Sequence, residues 1–338
     1  MSAKPSDVAE RLIASLEAEA EMVDRGDFTI DQVKARDKLR DYQLADPNAW
    51  VLLVVELASL LGAKAVYFDY TEPELTQVRF RSAGFEAPQL AEPLSGVFAA
   101  TESGGVADRA RRAAWQKLAI AMNALLGRAK RIELTCLDAS GRGPRMRWTG
   151  DPEGRVETIE TVEVDPSKRG ADPTLEDERS GNHLIVELHQ RNHDEHETAL
   201  LRRACHCSPL LVMAGAEKLS QGWKAMFEPA QRDDDDEPAP APTTIRDDDF
   251  RSLGLALQTP SRAKARLRVQ TNGVFAEDIE LEGWRPGFLA ITDLPLARDL
   301  GQNQVLRDAA FERMLSFVRA THDQLAQVDQ LAPGRSPR

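Results

Sequence analysis

From Pro47 to Leu61 the chain is apolar on every side, with Trp50-Val51-Leu52-Leu53-Val54-Val55 followed by Leu57-Ala58. Asp46-Pro47 supplies an N-cap and a first-turn proline, and Gly62 is placed to end the helix. A helix without a polar side has no face for water, so this one must be buried. Two strands follow: residues 65–70, then 77–81, where apolar and polar positions alternate with period two. Residues 98–108, with Gly104-Gly105, read as a lid-like loop, and Ala110 to Leu126 as a long helix stopped at Gly127. Strand patterns return at 131–137, 145–148, 156–164 and 182–189, with a polar loop at 165–181.

Upstream, residues 7–24 predict a helix with only a partial apolar stripe (Leu12, Ile13, Leu16, Met22). Thr29-Ile30-Asp31-Gln32 reads as a capping box opening a second helix that carries Val33, Leu39 and Tyr42. Downstream of about residue 190, the pattern predicts a helix at 195–204 and a short strand at 209–213. Residues 229–249 hold Asp233 to Asp236, four prolines and Asp247 to Asp249, a composition that cannot build a core and reads as a disordered acidic insertion. Asn272-Gly273 between residues 265–270 and 274–281 predicts a hairpin with a type I′ turn. A strand at 288–292 and a helix at 304–328, with Leu306, Ala310, Met314 and Phe317 on one face, close the pattern.

The organisation expected is therefore an N-terminal helix (1–27), a first domain (28–190) and a second α/β domain (191–330), all within an α/β protein of the α+β sandwich kind. The length, 338 residues, suits two domains. A net charge of −12 argues against general binding of nucleic acid or an anionic membrane surface. No run of about 18 apolar residues is present, so no membrane span is expected, and the polar, acidic start does not read as a signal peptide. Three cysteines, Cys136, Cys205 and Cys207, suit a reducing cytoplasm rather than a disulfide scaffold.

The order of elements resembles the nucleotide-binding domain of the gyrase–chaperone–histidine-kinase–MutL (GHKL) superfamily, and the residues can be taken motif by motif. That family's first motif lies on a buried helix, where a Glu activates water and an Asn four residues on holds magnesium. Here Glu56 matches the general base, and the Asn position is Leu60, which offers no oxygen to a hard cation. The second motif supplies an Asp to the adenine amino group and then glycines. Here Ser82 stands at the Asp position and Gly84 keeps one glycine. The third is a glycine-rich lid whose amides cradle phosphate at a helix N-terminus. Here Gly104 and Gly105 are the lid glycines, and Leu118-Ala119-Ile120-Ala121-Met122 carries alanines where glycines belong. A later Gly-Thr pair is Gly181-Asn182. Leu294-Pro295-Leu296 with Asp299 to Gln302 is similar to the transducer domain of chaperone-type members, and Leu201 to Cys205 before Ser208-Pro209, early in the second domain, resembles a bacterial family of degenerate members.

The resemblance implies ATP with magnesium as the group such a fold binds, and a homodimer by analogy with gyrase-type relatives. The eroded ligands instead favour a pseudo-ATPase with weak or absent nucleotide binding, acting on an unidentified protein partner, more a scaffold than an enzyme. A divergent, chaperone-like ATPase using Glu56 is the alternative. Glu56 in so apolar a helix needs a cation, a water or a proton, so pairing with an Arg is the plain alternative to a catalytic role. Arg109, Arg111, Arg112 and Lys117 meet either phosphate, an acidic partner or solvent. A metal site built from Cys205, His206 and Cys207, with His189, His193 and His196 nearby, is a third possibility. The Cys-His-Cys run lacks the spacer common in zinc sites.

Overall fold

The computed structural model describes residues 21–22, 28–29, 44, 46–72, 74–82, 84–98, 105–150, 155–163, 181–189, 194–227, 241–247, 252–299, 302 and 304–331. Glu21–Met22 (β1) and Phe28–Thr29 (β2) form a short antiparallel pair. Met22 thus lies in a strand where a helix to residue 24 was expected, and Thr29 lies in a strand rather than at a helix cap. The remainder of both N-terminal helices falls outside the described residues.

The buried helix forms as its sequence dictates. Asp46 accepts a hydrogen bond from the Asn48 N–H at 2.9 Å, Pro47–Ala49 make a 3-10 turn, and Trp50–Leu60 (α1) continues it. Gly62 follows with a positive φ of 79°, which relieves the chain for its turn into the first strand.

An eight-stranded sheet carries the first domain. Its strands are Ala65–Glu72 (β3), Leu75–Phe80 (β4), Ala129–Leu137 (β5), Arg142–Thr149 (β6), Val156–Glu163 (β7), Gly181–Leu188 (β8), Leu211–Ala214 (β9) and Glu217–Lys218 (β10). They run in the order β10-β9-β3-β4-β8-β5-β6-β7, antiparallel except for β3 with β9. Between β4 and β5 lie Ala87–Ala91 (α2), a 3-10 segment at Pro93–Phe98, and Val106–Leu125 (α3). Alternate strand residues, among them Phe68, Val78, Ile132, Leu134, Trp148 and Val186, share one core with α1 and α3. Each fully buried aliphatic or aromatic side chain there contributes about 1.5–3 kcal/mol. The other face is polar and laced with cross-strand ion pairs, such as Arg147–Glu133 at 2.9 Å and Arg145–Glu160 at 3.5 Å.

Asp194–Cys205 (α4) precedes β9 and β10 of that same sheet, and the second domain is a five-stranded sheet in the order β11-β12-β15-β13-β14. These strands are Thr243–Arg246 (β11), Ser252–Gln258 (β12), Arg266–Thr271 (β13), Val274–Glu280 (β14) and Phe288–Asp293 (β15), with Ala309–Leu331 (α5) packed against them. β13 and β15 are parallel. Two differences from the sequence reading stand out. β11 lies within the stretch 229–249 read as an acidic insertion, because Thr-Thr-Ile-Arg is strand-prone and Ile245 is fully buried. The last helix begins at Ala309 rather than 304, leaving Leu306 exposed outside it and Ala310 exposed on it; Phe311, Met314 and Val318 face the core.

The Asn272-Gly273 turn is observed as predicted, with positive φ at both residues (53° and 83°). It pushes β14 against the first domain. Val274 belongs to the first domain's core, and a Cβ on Gly273 would lie 2.7 Å from the Ser208 hydroxyl. Among the described residues, no helix is long and apolar enough to cross a membrane.

Candidate functional site

The residues singled out from sequence fall into two groups. Glu56 sits mid-way along α1 with a side chain only 1% exposed. Because the helix is apolar all round, its carboxylate has no path to bulk water, and charge must come to it. Two cations do. Lys117 Nζ, from α3, lies 2.8 Å from Oε2, and the Arg298 guanidinium, from the segment after β15, lies 3.2 Å from Oε1. Lys117 is 12% and Arg298 7% exposed, so the triad is almost wholly desolvated. Both carboxylate oxygens are thus taken by a cation, one each.

The second domain encloses this triad. Arg298 Nε donates to Thr271 Oγ1 at 2.8 Å, its NH2 group donates to the same oxygen, and the guanidinium also reaches the carbonyls of Gln302 (3.2 Å) and Val274 (3.4 Å). Lys117 Nζ donates to Gln302 Oε1 at 2.6 Å. Asp293, at the end of β15, accepts the Gly273 N–H at 2.9 Å. Burial raises its carboxyl to about 6; the Gly273 N–H pulls the other way, Glu56 adds to the rise and Arg298 opposes it. Burial likewise pushes the Lys117 ammonium below its ordinary value, against the attraction of Glu56 and with help from Arg298. The Cys205 thiol is pushed up by burial and by Glu56.

The second group is neutral and belongs to the first domain alone. Ser82 and Gly84 follow β4, and Asn182 lies in β8 beside it, paired in register with Phe80. Asn182 Nδ2 donates to Ser82 Oγ at 3.0 Å, and its side-chain oxygen, buried, has no partner among the described residues. Gly84 is tightly packed: a Cβ there would stand 2.5 Å from the Cys136 Cβ and 2.8 Å from Asn182 Oδ1. Burial raises the Cys136 thiol to about 11. Ser82, Gly84 and Asn182, scattered in sequence, are therefore neighbours.

The lid positions are placed differently from the expectation. Gly105 caps α3, which runs unbroken from Val106 to Leu125. Ala119 and Ala121 are thus interior residues of a long helix, about 20 Å along it from its first residue, and do not open one. Their amides serve the helix ladder, and the Ala119 methyl packs on Gly96, where an added Cβ would lie 3.0 Å away. Gly104 lies outside the described residues. Leu60 is part-buried against the core. A magnesium ion does not fit beside Glu56: the residue four on is apolar, and two buried cations already face the carboxylate.

The basic run divides. Arg111 pairs with the exposed Glu86 at 3.2 Å, while Lys117 turns inward to Glu56. Arg298 was the residue the pattern did not single out, although the need of Glu56 for an Arg was legible. The Cys-His-Cys run does not converge, with Cys205 and Cys207 buried and His206 exposed. Cys207 meets Arg268 at 3.9 Å, and His196 pairs with Asp46 at 2.8 Å. His193 lies outside the described residues. Among those described, no three His, Cys, Asp or Glu side chains gather for a metal.

Comparisons with known proteins give a likeness of fold. No family model and no curated protein matches the chain. Among solved structures it is similar to the B-subunit of the DNA gyrase from Myxococcus xanthus, with a TM-score of 0.53 and 12% identity, over 87% of this chain and 95% of that one. The chain thus has a gyrase-B-like mixed α/β fold of two sheets with helices.

Proposed function

We propose that this chain is a GHKL-fold pseudo-ATPase, a regulatory or scaffold protein that works through protein contacts. The observation that carries the reading is Glu56, the residue matching the family's general base, held between Lys117 and Arg298. A base must be free to meet the proton it abstracts, and this carboxylate is taken up by two buried cations. The uninterrupted α3 and Leu60 support the same reading, since phosphate and magnesium each lack their expected partners there. The test is calorimetric titration of ATP with and without magnesium, alongside a turnover assay. No magnesium-dependent micromolar binding and no turnover are expected. Micromolar, magnesium-dependent binding with turnover abolished by Glu56→Gln overturns the proposal. That outcome supports the alternative, a divergent ATPase in which Glu56 acts as the general base.

A further inference from the structure

We propose that the Lys117–Glu56–Arg298 triad is an interdomain lock, which fixes the second domain on the first through the chain's own charges and without nucleotide. Two members, Glu56 and Lys117, come from helices of the first domain; the third, Arg298, comes from the second. The guanidinium is held in place by its own domain, through Thr271 and the carbonyls of Val274 and Gln302, before it reaches Glu56. Gln302 then takes the remaining reach of Lys117 at 2.6 Å. An arginine oriented this way presents a fixed fork, and only one placement of the two domains satisfies it.

The lock has an apolar seat. The Asn272-Gly273 turn rests on Ser208, Val274 enters the first core, and Arg268, paired to Asp278 at 2.9 Å, lies over Phe275 and reaches Cys207. Packing of that kind brings domains together without dictating one arrangement. The buried ions add the geometry, because removing Glu56 leaves two like charges stranded out of water, and removing Arg298 leaves Glu56 paired within its own domain, with nothing charged to hold the second domain. The inference is independent of the pseudo-ATPase reading: a chain that binds nucleotide elsewhere in the fold would still carry this lock.

Hydrogen exchange on the full chain, read by mass spectrometry, tests it. In the wild type without nucleotide, amides of the β13–β14 hairpin are expected to be as protected as those of α1, and ATP with magnesium should leave them unchanged. Arg298→Met should speed hairpin exchange on the order of tenfold or more, the loss of one charge-assisted contact, while β5 and β8 keep their protection. Arg298→Lys, which keeps charge but not the fork, should give a smaller acceleration and decides the matter by the same readout if the methionine variant does not fold. Unchanged hairpin exchange in these variants overturns the lock, as does equal acceleration in every element. A tenfold or greater slowing of wild-type hairpin exchange on adding ATP and magnesium overturns its nucleotide independence. Micromolar, magnesium-dependent ATP binding with turnover, but without that slowing, would sink the pseudo-ATPase reading and leave the lock standing.

Discussion

The Glu56 group and the Ser82–Asn182 group sit in one gyrase-B-like fold, yet they are built on opposite principles. The first is ionic, drawn from both domains, and nearly dry; the second is neutral, local to two neighbouring strand ends, and closed by the contact of Gly84 with Cys136. At the first, a change of charge should propagate across the molecule. At the second, a change of volume should stay within one domain. A buried polar group can therefore be held by quite different forces, and each force makes its own forecast.

The largest effect should come from Glu56→Ala, which leaves Lys117 and Arg298 buried beside each other. A loss of about 3–5 kcal/mol is expected from orphaning buried charge, measured by urea unfolding at pH 7. The companion variant carrying Leu at 56 and Met at both 117 and 298 should recover most of that loss, since no charge is stranded. A triple variant as unstable as Glu56→Ala would mean that shape, not charge, dominates the site.

Next is the pH dependence owed to Asp293. Its carboxyl rises from an ordinary 3.8 to about 6 on folding, so the folded state holds the proton more tightly than the unfolded state. The stability this gives is fully present below about pH 4 and is lost as pH rises through 6. Glu56 and Arg298 are the charged groups acting on it, with opposite signs. Asp293→Asn still accepts from the Gly273 N–H but cannot ionise. Between pH 4.5 and 7.5 the variant should lose less stability than the wild type, by about 2 kcal/mol. Parallel pH profiles of urea midpoints for the two proteins would count against the raised carboxyl.

At the neutral group, Gly84→Ala forces a methyl onto Cys136 and should cost about 1–3 kcal/mol by overpacking. Hairpin exchange in the second domain should be unaffected; a hairpin loosened by this variant would erase the contrast between the two groups. The smallest effect is expected for Gly273→Ala, about 1–2 kcal/mol from the left-handed backbone, plus contact with Ser208. It should be read most clearly as faster exchange in β13 and β14.

Much of this was legible along the chain. Local chemistry fixed the cap at Asp46-Pro47, the stop at Gly62 and the type I′ turn at Asn272-Gly273, because each depends on a few adjacent residues. The alternating strands of the first domain were legible for the same reason. The start of α3 was not: a glycine pair suggested a loop to residue 108, whereas one glycine serves as the N-cap and the helix begins at Val106. β12, from Ser252 to Gln258, went unread because Gly254 and small residues weaken its signal, yet that glycine is required where a Cβ would strike the Ile291 carbonyl at 1.8 Å.

By itself, the sequence determined that α1 is buried and that Glu56, set inside it, needs a cation, a water or a proton. It also determined that Leu60 offers no ligand to a cation. Those conclusions need only helical geometry and the cost of dehydrating a charge. Which groups meet that need was decided by tertiary structure alone. Lys117 lies 61 residues from Glu56 and Arg298 lies 242 residues away, and no local pattern ties either to it. Only the packing of α3 on α1, and the seating of the second domain by its hairpin, bring both cations to a single buried carboxylate.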